Sequence, residues 1–122
     1  TARNVMFYII GSGKLDMTGN GSIVVTPPDP TEEAFPDADI YEGISIFQDR
    51  RNVGSARIIG TSLLDLDGTL YFPSNVVSIS GTGDGFGQQL ITDMVHISGN
   101  GEITIRYDGR NSGPGLRVWL VK

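Results

Sequence analysis

The chain has no cysteine, which excludes disulfide staples and thiolate metal sites. It has a single histidine and a single tryptophan. No apolar run approaches the ~20 residues that a membrane-spanning helix requires. Cations are scarce: nine Lys and Arg stand against fourteen Asp and Glu, for a net charge of −5. They do not cluster, apart from the pair Arg50-Arg51. A nucleic-acid surface needs many cations facing phosphates, so this balance argues against nucleic acid, and equally against an anionic membrane surface. No window carries a sustained i, i+3, i+4, i+7 apolar pattern with caps. Thr31-Glu32-Glu33-Ala34 offers one helical turn, which Pro30 and Pro36 keep short. The start, Thr1-Ala2-Arg3-Asn4, has no initiator Met and no charged region followed by an apolar one. The expectation is a single domain over residues 1–122, excised from a longer chain whose anchor or export signal lies upstream.

What is abundant is glycine. Seventeen glycines in 122 residues are about twice average usage. They follow no three-residue period, so they are not collagenous, and β-branched runs separate them, so they are not a linker. Short alternating segments rich in Val, Ile, Tyr and Phe lie between them: Val5–Ile10, Ser22–Thr26, Gly43–Phe47, Leu63–Leu66, Thr69–Phe72, Val76–Ser80, Leu90–Ile97, Glu102–Tyr107 and Leu116–Val121. Each is flanked by turn residues, which is the signal of strands.

One motif recurs: apolar, polar, apolar, small polar, Gly. It reads Leu15-Asp16-Met17-Thr18-Gly19, Leu64-Asp65-Leu66-Asp67-Gly68, Val77-Ser78-Ile79-Ser80-Gly81 and Val95-His96-Ile97-Ser98-Gly99. The two apolar residues share one face of a strand and the polar one takes the other. The glycine tolerates positive φ, so the chain turns sharply after it. The last two copies start 18 residues apart, close to the ~20 residues of a solenoid rung. The pattern predicts an all-β domain, a short right-handed parallel β-helix (solenoid) with one long Pro-rich loop at Pro27–Asp39. The alternative is an antiparallel β-sandwich, because Asn-Gly between two strands is a strong hairpin signal and both Thr18-Gly19-Asn20-Gly21 and Ser98-Gly99-Asn100-Gly101 offer it. The recurrence of the motif in one phase favours the solenoid, since a sandwich needs none.

His96 is the single histidine. It sits in the polar slot between Val95 and Ile97, so it faces solvent without the partners of a triad or metal site. Asp65 and Asp67 stand at i and i+2, and Asp16 takes the same motif slot as Asp65, so stacked rungs would gather Asp16, Asp65 and Asp67 into one carboxylate face. Such a face suits general acid/base work or calcium, but the turns do not match the calcium-binding nonapeptide repeat. A solvated face is the plainer expectation. Gly81-Thr82-Gly83-Asp84-Gly85-Phe86-Gly87 opens no helix and lacks Gly-Lys-Ser/Thr, so it is a corner rather than a phosphate loop. Gln48-Asp49-Arg50-Arg51 closes a strand. It is either an exposed cluster that engages a partner or a structural turn, with Asp49 holding turn amides and an Arg covering an apolar edge. The recurring Thr and Ser residues lack the tandem Thr-x-Thr order of an ice-binding ladder. No cofactor site emerges.

Four stretches together resemble a known group: Tyr41-Glu42-Gly43-Ile44-Ser45-Ile46-Phe47-Gln48-Asp49-Arg50, Gly68-Thr69-Leu70-Tyr71-Phe72-Pro73, Val77-Ser78-Ile79-Ser80-Gly81, and Gln89-Leu90-Ile91 leading to Ile97-Ser98-Gly99-Asn100-Gly101. Their order and spacing are similar to the C-terminal β-rich domain of TadG-like proteins of the tight-adherence pilus-assembly group, with Tyr107-Asp108 and the closing Val118-Trp119-Leu120-Val121-Lys122 following as in that group. The resemblance covers most of the chain from Val5 onward. It implies a non-enzymatic structural, assembly or adhesion module outside the cytoplasm, tethered by an upstream membrane helix. Its partners would be envelope proteins or further copies of itself, with no direct membrane insertion by this domain. It supplies no catalytic residues. The alternative function is a carbohydrate-binding or carbohydrate-active β-helix, which needs Asp16, Asp65 or Asp67 in a groove near Tyr71, Tyr107 or Trp119.

Overall fold

A computed structural model describes residues 1–29, 31, 40–60, 64–81, 85–99 and 104–107. Among them the protein is all-β. Nine strands follow in order: β1 (Phe7–Ile9), β2 (Leu15–Thr18), β3 (Ile23–Val25), β4 (Ile44–Gln48), β5 (Ala56–Gly60), β6 (Leu64–Leu66), β7 (Thr69–Gly81), β8 (Gly85–Phe86) and β9 (Gln89–Ser98). Every strand pair among the described residues is parallel.

The pairings form three rows. In the first, β1 lies beside β4, β4 beside the first part of β7, and that part beside the start of β9. In the second, β2 lies beside β5, β5 beside the end of β7, and that end beside the end of β9. The long strands β7 and β9 join the two rows into one curled sheet, and their register shifts between Phe72 and Val76. Pro73 sits at this irregularity, where a missing N–H costs least. The third row is a separate sheet of β3, β6 and β8.

Alternation sets the core. Ala56 and Ile58 of β5, Val77 and Ile79 of β7, and Ile46, Leu64, Leu66, Leu70, Phe72 and Phe86 are buried together. Arg57 between them is exposed. Ile58, Ile79 and Ile97 face one another across β5, β7 and β9 at separations of 21 and 18 residues.

Two expectations change. The Asn-Gly segment after β2 makes no hairpin: β2 belongs to the curled sheet and β3 to the other, so the chain turns a corner there, and the described strands do not build an antiparallel sandwich. Nor do the four motif copies share one row. Leu15–Thr18 reaches Val77–Gly81 and Val95–Ser98 only through Ala56–Gly60, a strand the motif search passes over, while Leu64-Asp65-Leu66 lies in the other sheet between β3 and β8. The motif encodes a strand ending at a corner, and any corner satisfies it. The predicted strand at Glu102–Tyr107 is described only over 104–107, which is not strand. The predicted Leu116–Val121 strand, and all of the Pro-rich loop and helical turn except Pro27–Asp29 and Thr31, lie outside the described residues.

Candidate functional site

The Gln48–Arg51 cluster divides at the end of β4. Gln48 keeps the parity of Ile46 and turns inward, fully buried, where its Nε2 donates to the Gly54 carbonyl at 3.1 Å. The other three stay at the surface and hold it together. Asp49 Oδ1 accepts from the Arg51 N–H at 2.8 Å and its Nε at 3.2 Å, and Oδ2 accepts from Arg51 Nη2 at 3.1 Å. The Tyr8 hydroxyl donates to Asp49 Oδ2 at 3.3 Å. Arg50 Nε donates to the Tyr71 hydroxyl at 3.0 Å. Tyr8 and Tyr71 flank Phe47 on the outer side of the first row. Tyr8 meets Phe47 edge-on at 5.4 Å, and Phe47 stacks on Tyr71 at 4.8 Å. One edge-on contact and one stacked contact tie the three rings to one another along the row.

The Arg51 guanidinium and backbone N–H hold the Asp49 carboxyl down at about 2. Burial and the neighbouring Asp49 charge push the Tyr8 hydroxyl up. Asp49 therefore stays ionised through the physiological range and is not placed to shuttle protons.

Sequence reasoning misses the amides behind this cluster. Asn52 is buried beneath it, donating from Nδ2 to the Gly13 carbonyl at 2.8 Å and accepting the Gly54 N–H on Oδ1 at 2.8 Å. Asn75, also buried, donates to the same Gly54 carbonyl that Gln48 uses. Strand parity was the available signal, since it places Gln48 on the face of Ile46.

A second feature is a cleft of about 410 Å³ where the third row returns to the first. Arg3, Asn4, Asp29, Glu42, Asp67 and Gln88 line it, with Thr26 and two prolines. Asn4 has φ of 52°, a strained value for a side-chain-bearing residue. Its N–H donates to Thr26 Oγ1 at 3.3 Å, and its own Oδ1 accepts the Asp29 N–H at 3.1 Å. Asp67 Oδ1 accepts the Gly68 N–H at 2.8 Å and Gln88 Nε2 at 2.9 Å, while the buried Gln88 Oε1 has no hydrogen-bond partner among the described residues.

The structure does not assemble the carboxylate face. Asp16 is exposed on β2 opposite Arg57. Asp65 is exposed on β6 between Val24 and Gly85. Asp67 alone enters the cleft, as a corner residue. The physical reason is the row assignment, which puts Asp16 and Asp65 in different sheets. Among the described residues no three His, Cys, Asp or Glu side chains come together as a metal site. None of the described cleft-lining residues is aromatic; Tyr71 belongs to the outer ring row and Trp119 lies outside the described residues. His96 is exposed on β9 opposite Ser78. Of the glycine-rich stretch, Gly85-Phe86 forms β8 and residues 82–84 lie outside the described residues.

Comparison with protein-family models, with curated proteins and with solved structures finds no match to this chain. Among the described residues no helix is long and apolar enough to cross a membrane.

Proposed function

We propose that the chain is a short right-handed parallel β-solenoid that serves as a non-enzymatic structural, assembly or adhesion module at a bacterial envelope, as the resemblance to the C-terminal domain of TadG-like pilus-assembly proteins implies. One observation carries the reading. Strand follows strand in the same three rows, each pair parallel and with apolar residues inward, from β1, β2 and β3 through β4, β5 and β6 to β7 and β8. Parallel crossovers of this kind take the right hand. A stack held by backbone ladders and one narrow core suits a rigid spacer or presenting surface, and its side chains are tied into local braces rather than poised for chemistry. The test is deletion of this domain from the full-length gene. Loss of piliation, adhesion or envelope order is expected; unchanged piliation, adhesion and architecture would remove the reading.

The cleft favours one second reading, carbohydrate binding at Asp67 with Asp29, Glu42 and Arg3 as hydrogen-bonding groups. A glycan array and reducing-sugar assays on polyuronates decide it, and neither binding nor cleavage would eliminate it.

A further inference from the structure

The pass from β2 to β3 runs through Thr18-Gly19-Asn20-Gly21-Ser22, and all of these residues are exposed. Asn-Gly at this place suits a hairpin, but β2 and β3 lie in different sheets, so no ladder closes around it. Neither the Asn20 side chain nor the Gly21 N–H makes a hydrogen bond among the described residues. A Cβ built on Gly21 would meet nothing within 4 Å. The corner between β6 and β7 is the opposite case. It carries Asp67-Gly68, where the Gly68 N–H donates to Asp67 Oδ1 at 2.8 Å and Gln88 Nε2 donates to the same oxygen at 2.9 Å. A Cβ on Gly68 would lie 2.7 Å from the Gly43 carbonyl oxygen. The other asparagines among the described residues all precede valine, as Asn4-Val5, Asn52-Val53 and Asn75-Val76, and Asn52 and Asn75 are buried.

We propose that Asn20-Gly21 is a site of self-modification, where the folded chain deamidates in water to aspartate and isoaspartate. Asparagine is a thermolabile residue, and the chemistry needs only its neighbour and solvent. The Gly21 amide loses its proton to hydroxide, and its nitrogen attacks Asn20 Cγ. The new N–Cγ bond closes a succinimide. The Cγ–Nδ2 bond breaks, and Nδ2 takes a proton from water and leaves as ammonia. Water then opens the ring. Addition at Cγ breaks the new bond and gives aspartate. Addition at the main-chain carbonyl carbon of residue 20 breaks the original peptide bond and gives isoaspartate, with the chain routed through the side chain. The sum is asparagine and water in, aspartate or isoaspartate and ammonia out, with no oxidant or reductant. The attack needs a backbone free to swing the nitrogen onto Cγ. Glycine allows that, and a stiff β-branched neighbour opposes it. Asn20-Gly21 meets the condition, with an N–H that no acceptor holds. At Asp67-Gly68 the N–H is held and the close approach of Gly43 keeps the backbone from turning into the ring. Aspartate at position 20 adds a negative charge to a chain already at −5. Isoaspartate also lengthens the main chain by a methylene, at a corner where β2 pairs with β5 and β3 with β6, so no ladder contains the inserted atom.

The experiment incubates the full 122-residue chain at mildly alkaline pH and follows it by tryptic peptide mass spectrometry. Cleavage after Lys14 and Arg50 leaves Asn20 as the single asparagine of residues 15–50. That peptide is expected to gain the mass difference between an amide and an acid. It should split into aspartate and isoaspartate forms, the second accepting a methyl group from an isoaspartyl methyltransferase. The folded chain should react at a rate within a few-fold of that of the isolated peptide 15–50, and the rate should rise in step with hydroxide concentration. Gly21→Val keeps Asn20 and enters open space, so circular dichroism should show the wild-type fold while the mass gain is lost. Asp67-Gly68 should form no isoaspartate until urea unfolds the chain. A folded chain that leaves residues 15–50 unchanged while the free peptide reacts overturns the proposal. So does a product that is aspartate alone, or a Gly21→Val variant that reacts as fast as the wild type. Isoaspartate at residue 67 of the folded chain as early as at residue 20 would mean that the open corner does not select the site, and overturns it as well.

Discussion

At the scale of single residues, the corners carry most of the specificity. Gly43, Gly68 and Gly87 have φ of 73°, 79° and 74°, and each offers its carbonyl to the pass that follows, through the N–H groups of Thr69, Gln88 and Arg106. A Cβ on Gly68 would lie 2.7 Å from the Gly43 carbonyl oxygen and 2.8 Å from Pro27 Cγ and Ser45 Oγ. Gly11, with φ of 64°, has nothing within 4 Å of that position. Gly68→Ala therefore combines left-handed strain with a clash and is expected to cost about 2–4 kcal/mol, against about 1 kcal/mol for Gly11→Ala. Denaturant unfolding checks this, and equal losses would show that close approach plays no part. Asp49 makes a prediction about pH. Its folded pKa is lowered to about 2 from an unfolded value near ~3.9. Its contribution to stability is therefore complete above the unfolded value and is lost as pH falls from about 4 towards 2. Asp49→Asn should flatten the stability profile in that window and shift stability by a constant amount above it. A profile that keeps its acid limb in the variant would move the effect to another carboxylate.

At the scale of elements, the corner between the first and second rows depends on buried amides. Asn52 joins Gly13 of one pass to Gly54 of the next, and the Gly54 carbonyl takes Gln48 and Asn75 in turn. Asn52→Ala deletes the two hydrogen bonds that a buried side chain makes to the Gly13 carbonyl and the Gly54 N–H, so the expected cost is about 1–3 kcal/mol. Urea unfolding measures it, with Arg51→Ala as a surface control expected to change stability by about 0.5 kcal/mol or less. The sequence makes the strands themselves legible, because Leu15-Asp16-Met17 or Val77-Ser78-Ile79 followed by a small polar residue and Gly is a complete local instruction. It conceals β5, because Ile59 occupies the place of the small polar residue before Gly60, and it conceals β8, which is two residues inside a glycine-rich run. It cannot tell which strand lies beside which, since row membership is set by how much chain is spent at each corner. That is why Asp16 and Asp65, alike in motif position, end in different sheets. The register shift between Ile44 and Ile46 likewise buries Ser45 beside Ile46, which simple alternation forbids. The cleft was not legible, because Arg3, Asn4, Glu42, Asp67 and Gln88 come from four distant segments that meet only through the return from the third row to the first.

At the scale of the whole molecule, the question is whether successive passes through the three rows are coils of one stack, and covalent chemistry tests it directly. Arg57 and Ser78 are partners across the parallel pair of β5 and β7, on the outer face. Neighbouring strands lie ~4.8 Å apart, within the Cα separation that a disulfide spans. Arg57→Cys with Ser78→Cys should therefore oxidise within one chain without distorting it. The bond closes a loop of one coil, which constrains the unfolded chain and is worth about 3 kcal/mol in the chain-entropy account. A rise in melting temperature that reductant reverses is the expected result. The informative control is Asp16→Cys with Asp65→Cys. If equal motif positions stacked directly, that pair would close just as readily. The structure places Asp16 beside Arg57 and Asp65 beside Val24 and Gly85, in two different sheets, so no intramolecular bond should form. Oxidation of the control pair, or failure of the first, would mean that the chain stacks by motif rather than by row. Oxidation of the first pair alone places the end of β7 directly beside β5, as the second row requires.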